Sequence, residues 1–131
     1  MKKTYNPLQD TKYMSLRMKK HFEKLLKQEL EEIRKQESLS LTHLQEHHEI
    51  ESDLIDRSAV MSDAVNEIKA YEHYRREEKD IEAALRRLRD GYYGYCIETG
   101  EKIGVERLLA APQASLCLEA QERKEKHNYN N

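Results

Sequence analysis

The chain has 131 residues, a net charge of −2 and 37% charged residues, enough for one domain or one long element with a small cap. Ala, Glu, Lys, Leu and Arg make up 66 positions, the composition of long helices, while Val, Ile and Thr total 14 and only four Gly and two Pro break the chain. A β sandwich or barrel is therefore excluded, and the near-neutral charge argues against wholesale nucleic-acid binding.

Residues 1–12 contain Pro7 and scattered polar side chains, and read as a loose N-terminal arm. From about Met14 apolar residues fall three or four apart: Met14, Met18, Phe22, Leu25/Leu26, Leu30 and Ile33, then Leu41, Leu44 and His48 after a polar patch at Gln36 and Glu37. This spacing predicts one long amphipathic helix. A second stripe runs Met61, Ala64/Val65, Ile68, Tyr71, Tyr74, Glu78, Ile81, Leu85 and Leu88. Neither stripe can bury its face alone, so the two helices are expected to pair as an antiparallel hairpin over residues 13–90. Its turn falls near 50–58, where Ser52, Asp53 and Asp56 are candidate N-caps. The polar seam residues Gln36, Glu37 and Glu78 could fix register at some cost in stability.

Asp90-Gly91 ends the second helix. All four glycines lie in 91–104, which reads as a turn-rich knuckle, and a short helix is expected from Gln113 to about Lys126, followed by a polar tail over 127–131. The fold class is thus mainly α: a long antiparallel two-helix coiled-coil hairpin, then a small zinc-ribbon-like globular lobe and a C-terminal helix over 91–126. No apolar run reaches membrane-spanning length, so a soluble, cytoplasmic protein with two free thiols is expected.

Three constellations could carry chemistry. Between Glu46 and Asp56 there are five acids and no Lys or Arg. Such a tip is either a solvated loop whose Asp residues cap a helix, or a presented acidic end that meets a cation, a metal or a basic surface. His43-Leu44-Gln45-Glu46-His47 fits H-x-x-E-H, but a two-helix hairpin offers neither a third zinc ligand nor an enclosed cleft, so an enzyme is not expected. Cys96-Ile97-Glu98-Thr99 and Cys117-Leu118-Glu119-Ala120 look like two C-x-x-C knuckles, each with its second cysteine replaced. Two thiolates do not complete a tetrahedron, so the reading at this point is a zinc-ribbon shape without zinc, held by apolar packing. The basic residues of the second helix alternate with acids and make a solvated face rather than a nucleic-acid stripe.

Together these residues resemble the DksA/TraR family of bacterial RNA polymerase regulators. Gly94-Tyr95-Cys96-Ile97-Glu98-Thr99-Gly100, then Ile103-Gly104, Arg107-Leu108, Ala110, Pro112 and Leu116-Cys117, is similar to the family's zinc-finger signature with the second cysteine of each pair lost. That loss resembles the zinc-independent DksA paralogues of some proteobacteria. Asp53-Leu54-Ile55-Asp56-Arg57-Ser58 is similar to the family's D-x-x-D-x-A tip, with Ser58 in place of alanine. The resemblance covers roughly residues 13–126.

The resemblance implies a monomer that binds bacterial RNA polymerase and makes no sequence-specific contact with DNA. It implies a coiled coil entering the secondary channel, with Asp53, Asp56, Arg57 and Ser58 near the catalytic centre, and destabilised open complexes of the stringent-response type. The positions that contact guanosine tetraphosphate in the family fall on Asp80, Ala111 and Gln121, none of them basic, so direct binding of that alarmone in the family manner is doubtful. The competing reading from another class is a structural coiled-coil adaptor with no polymerase contact.

Overall fold

The structure is a computed structural model. It describes the backbone of residues 4–51 and 57–130, with side chains except at 47–51, 57–61 and 130. A single 3-10 turn, Pro7–Gln9, precedes four α-helices: α1 (Leu16–Glu51), α2 (Arg57–Asp90), α3 (Val105–Ala110) and α4 (Leu118–Asn130). Among the described residues the sole extended pairing is one antiparallel bridge between Tyr95 and Lys102. The chain divides into two compact units, Gln28–Lys79 and Met1–Lys27 with Asp80–Asn131. The second of these units takes in the arm, about three turns of α1 and about three turns of α2.

The larger unit is built on a four-residue apolar step. Met14, Met18, Phe22 and Leu26 are all buried, as a single face of a helix requires, and Ile81 and Ala84 of α2 are buried with them. Tyr93 closes this core: its ring centroid lies 5.7 Å from that of Phe22, and its hydroxyl donates to the Pro112 carbonyl at 2.8 Å. The phenol can therefore be buried without leaving a polar atom unsatisfied.

The arm is tied down rather than loose. Ser15 caps α1, its Oγ accepting from the Met18 N–H at 3.2 Å. The Ser15 hydroxyl in turn donates to Asp10, which also accepts from the Tyr5 hydroxyl at 2.7 Å and the Lys12 N–H at 3.1 Å. The Ser15, Tyr5 and Lys12 hydrogen bonds, in that order of weight, hold the Asp10 carboxyl down at about 2. Met14, just before the cap, takes a left-handed backbone (φ 54°), so the chain reverses there and α1 begins two residues later than its apolar pattern.

In the same unit α2 stops at Asp90. Gly91 adopts φ 86°, the Tyr92 N–H returns to the Arg87 carbonyl at 2.8 Å and the Gly91 N–H to Leu88 at 3.4 Å, a Schellman termination. The short helix α3 was not foreseen. The last helix starts at Leu118, not Gln113, for a visible reason. The carbonyls of Pro112, Gln113, Ser115 and Leu116 are taken by Tyr93 Oη, the Arg87 guanidinium, the Ile97 N–H and Arg107 Nε, and are not available to a helix. It then runs on to Asn130, through most of the stretch expected to be tail.

In the unit Gln28–Lys79 the two helices run antiparallel, since Arg34 meets Glu78, Glu37 meets Arg75 and His43 meets Glu67. The inward positions step by three and four: Leu30, Ile33, Glu37, Ser40 and Leu44 on α1, and Ala64, Glu67, Tyr71, Tyr74 and Glu78 on α2. Two expectations are corrected here. Ser40 is buried where Leu41 was expected, and Leu41, Val65 and Ile68 are each more than two-fifths exposed. On this register Tyr71 and Tyr74 stand level with Ser40 and Glu37, so bulk on one helix meets a small or polar residue on the other.

Phe22→Ala should destabilise the protein by about 3–5 kcal/mol, whereas Ile68→Ala should stay within about 0.5 kcal/mol, both read by thermal or urea melts. Asp10→Asn should lower the melting temperature at neutral pH. Because the folded-state pKa of Asp10 is depressed, its contribution is complete above the unfolded value of 3.8 and is lost as pH falls toward about 2. The gap between wild type and variant should therefore be constant from pH 7 down to about 4 and shrink only below that.

Candidate functional site

Two regions carry the residues singled out from sequence, one in each compact unit. Of the hairpin end, Asp53 and Asp56 lie outside the described residues. Arg57 and Ser58 open α2, and their side chains also lie outside the described set. The composition around them is lopsided: from Gln36 to Ile68 eight carboxylates stand against one cation, Arg57. His43, of the H-x-x-E-H pattern, turns across the hairpin, its Nδ1 3.6 Å from Glu67 Oε1. The His47 side chain lies outside the described set.

The four knuckle positions come together in the larger unit. Cys96 and Cys117 are both buried free thiols, and Ala120 is fully buried. Thr99 Oγ1 lies 3.8 Å from Cys117 Sγ. The knuckle turn is closed by the Cys96 N–H to the Glu101 carbonyl (2.7 Å) and the Gly100 N–H to the Cys96 carbonyl (2.9 Å), and is joined to the second knuckle by the Ile97 N–H to the Ser115 carbonyl (2.9 Å). Burial pushes the Cys96 thiol up. The Thr99 hydroxyl and the backbone N–H groups of Cys117, Thr99 and Glu98 donate toward its sulfur and outweigh that, holding it well below the ordinary thiol value.

A residue that sequence reading passed over holds this knuckle to the arm. The Tyr13 hydroxyl donates to the Gly94 carbonyl at 2.6 Å and accepts from the Gly104 N–H at 3.1 Å, so one phenol spans both ends of the loop 94–104. Its ring stands edge-on to Tyr95 at 5.7 Å, and Lys102 Nζ lies 5.2 Å from its centroid. Burial raises the Tyr13 pKa, with the Gly104 N–H acting against it. Its signal in the sequence is a single aromatic residue immediately before the first apolar stripe. Gly94 sits beneath this contact with φ 93°, and a Cβ there would lie 2.9 Å from Met14 Cε and 3.0 Å from Met14 Cγ.

Residues 91–126 match the family model of the prokaryotic dksA/traR C4-type zinc finger. The chain is 40% identical over 125 residues to the RNA polymerase-binding transcription factor DksA of Caulobacter vibrioides, covering 95% of this chain and 88% of that one. It belongs to the DksA/TraR family. It is also 31% identical over 107 residues to the protein of the same name from Escherichia coli K12, covering 82% of this chain and 71% of that one. The solved structure of transcription factor DksA2 from Pseudomonas aeruginosa superposes with a TM-score of 0.81 at 34% identity, covering 92% of each chain.

The family match corrects the expectation that zinc has no place here. The segment 91–126 is built on a C4-type zinc-finger pattern, and zinc binding is a property of that family. Counting cysteines overlooked the amide cradle around Cys96, which favours the thiolate, the ligating form of the side chain. The donors of this chain remain two thiols and the Thr99 hydroxyl, with none from Ala120, so they do not by themselves make up the four thiolates of a C4 site.

Gly94→Ala should be among the most damaging single changes in the larger unit. It combines a positive φ with a clash against Met14, whose own backbone is constrained, and should cost about 1–3 kcal/mol, read as a drop in melting temperature.

Proposed function

We propose that this chain is an RNA polymerase-binding regulator of transcription initiation and not an enzyme. The observation that carries this is the extent of the similarity: 95% of the chain aligns at 40% identity with a protein named an RNA polymerase-binding transcription factor. The partner is bacterial RNA polymerase, bound by a monomer without sequence-specific DNA contacts. Among the described residues no helix is long and apolar enough to cross a membrane, and the proposed site of action is the cytoplasm.

In this reading the hairpin enters the polymerase secondary channel and presents Asp53, Asp56, Arg57 and Ser58 near the catalytic centre, where it destabilises open complexes. A helix rises about 1.5 Å per residue, so α1 and α2, of 36 and 34 residues, are each about 50 Å long, the kind of element that suits a deep channel. Carboxylates delivered there act through charge, and their neighbours from Gln36 to Ile68 add to the field rather than cancel it. Positions 80, 111 and 121 offer an anion no cation, so the proposal includes no direct alarmone contact at those positions.

Asp56→Asn should abolish the effect on run-off transcription from a ribosomal RNA promoter while polymerase affinity and helicity stay near wild type, because most of the binding energy comes from the body of the interface. Full regulation by Asp56→Asn would remove the tip from the mechanism. A protein that does not bind polymerase at all would return the adaptor reading.

A further inference from the structure

The unit Gln28–Lys79 holds two carboxylates at inward positions of the seam, Glu37 on α1 and Glu78 on α2. Each is met by an arginine from the flank of the opposite helix. Arg75 Nη1 lies 3.4 Å from Glu37 Oε1, and Arg34 Nε lies 3.8 Å from Glu78 Oε2. The residue numbers of both pairs average 56, so the two pairs belong to one antiparallel register. The His43–Glu67 pair averages 55 and agrees with that register.

Stability alone does not account for this arrangement. The Glu37 and Glu78 side chains are only 15% and 20% exposed, and Glu37 Oε2 is buried without a hydrogen-bond partner. A leucine in either place would avoid the desolvation cost, and replacing buried ion pairs by apolar residues is often neutral or stabilising. Something other than free energy of folding keeps charge in the seam. Leu41 on α1 and Val65 and Ile68 on α2 are exposed aliphatics that an alternative, rotated pairing of the same helices would bury. An all-apolar seam would not distinguish the two pairings, whereas shifting the helices would bury each carboxylate away from its arginine.

We propose that Glu37–Arg75 and Glu78–Arg34 form a double clasp that selects one register of the hairpin and so decides which residues stand at its end. A different register of an antiparallel pair brings different residues to the midpoint of the pairing. The four clasp residues are positioning residues. They act through Asp53 and Asp56, so this inference rests on the tip reading given under Proposed function.

The test uses the full chain with spin labels carried by genetically encoded amino acids at Gln45 and Asn66, both exposed and level on opposite helices. Wild type should give one inter-label distance population. Glu37→Leu with Glu78→Leu should melt at or above the wild-type temperature, yet give a broadened or split population and a several-fold weaker transcriptional effect at unchanged polymerase binding. Exchange of the partners, Glu37→Arg with Arg75→Glu, should restore a single population and most of the effect, while Glu37→Arg alone should not. A single sharp population with full activity in the leucine variant would overturn the clasp. So would a large drop in helicity and melting temperature there, which would assign the pairs to stability. A leucine variant that splits while Asp56→Asn regulates normally would keep the clasp as a register device and remove the tip reading on which its functional role depends.

Discussion

A long helix that can bury one stripe must share it with another, and here the shared stripe is not uniformly apolar. At its base the seam is made of Met18, Phe22, Leu26, Ile81 and Ala84, which hold by area alone. Over Gln28–Lys79 it is interrupted by Glu37, Ser40, Glu67 and Glu78. Apolar contact is non-directional and tolerates sliding, whereas a half-buried carboxylate with one arginine partner does not.

The lobe solves a different problem, that of ordering a loop with little regular structure. Residues 91–117 contain one bridge and one helix of six residues, yet the carbonyls of Gly94, Pro112, Ser115 and Leu116 each accept a specific hydrogen bond. The donors are Tyr13 from the arm, Tyr93 just beyond α2, the Ile97 N–H of the first knuckle and Arg107 of α3. Buried backbone groups without secondary structure must find such partners, and the two tyrosines supply them while filling volume. The sulfur of Cys96 fits the same scheme, being an acceptor of several N–H donors as well as a knuckle position.

The two regions differ in what change they tolerate. In the lobe a substitution removes packing or a donor and is felt as lost stability. In the seam between Gln28 and Lys79, apolar replacement removes a constraint on pairing and can leave stability intact. Melting temperature is thus a good measure of the first and a poor measure of the second.

The amino-acid sequence by itself determined the helical class, the pairing of two long helices, the stop at Asp90-Gly91 and the family. These rest on local properties: three-four periodicity, helix-forming composition, a glycine at a C-terminus and a run of knuckle residues. The tertiary structure alone decided which of two adjacent residues faces inward, as with Ser40 against Leu41, because that depends on how the two helices meet across the seam. It alone decided that the arm is held by Tyr13, that α4 waits until Leu118, and that Cys96 sits in a cradle of N–H groups. Each of those depends on partners far away in the chain, and no periodicity records where a hydrogen bond from 81 residues away will land.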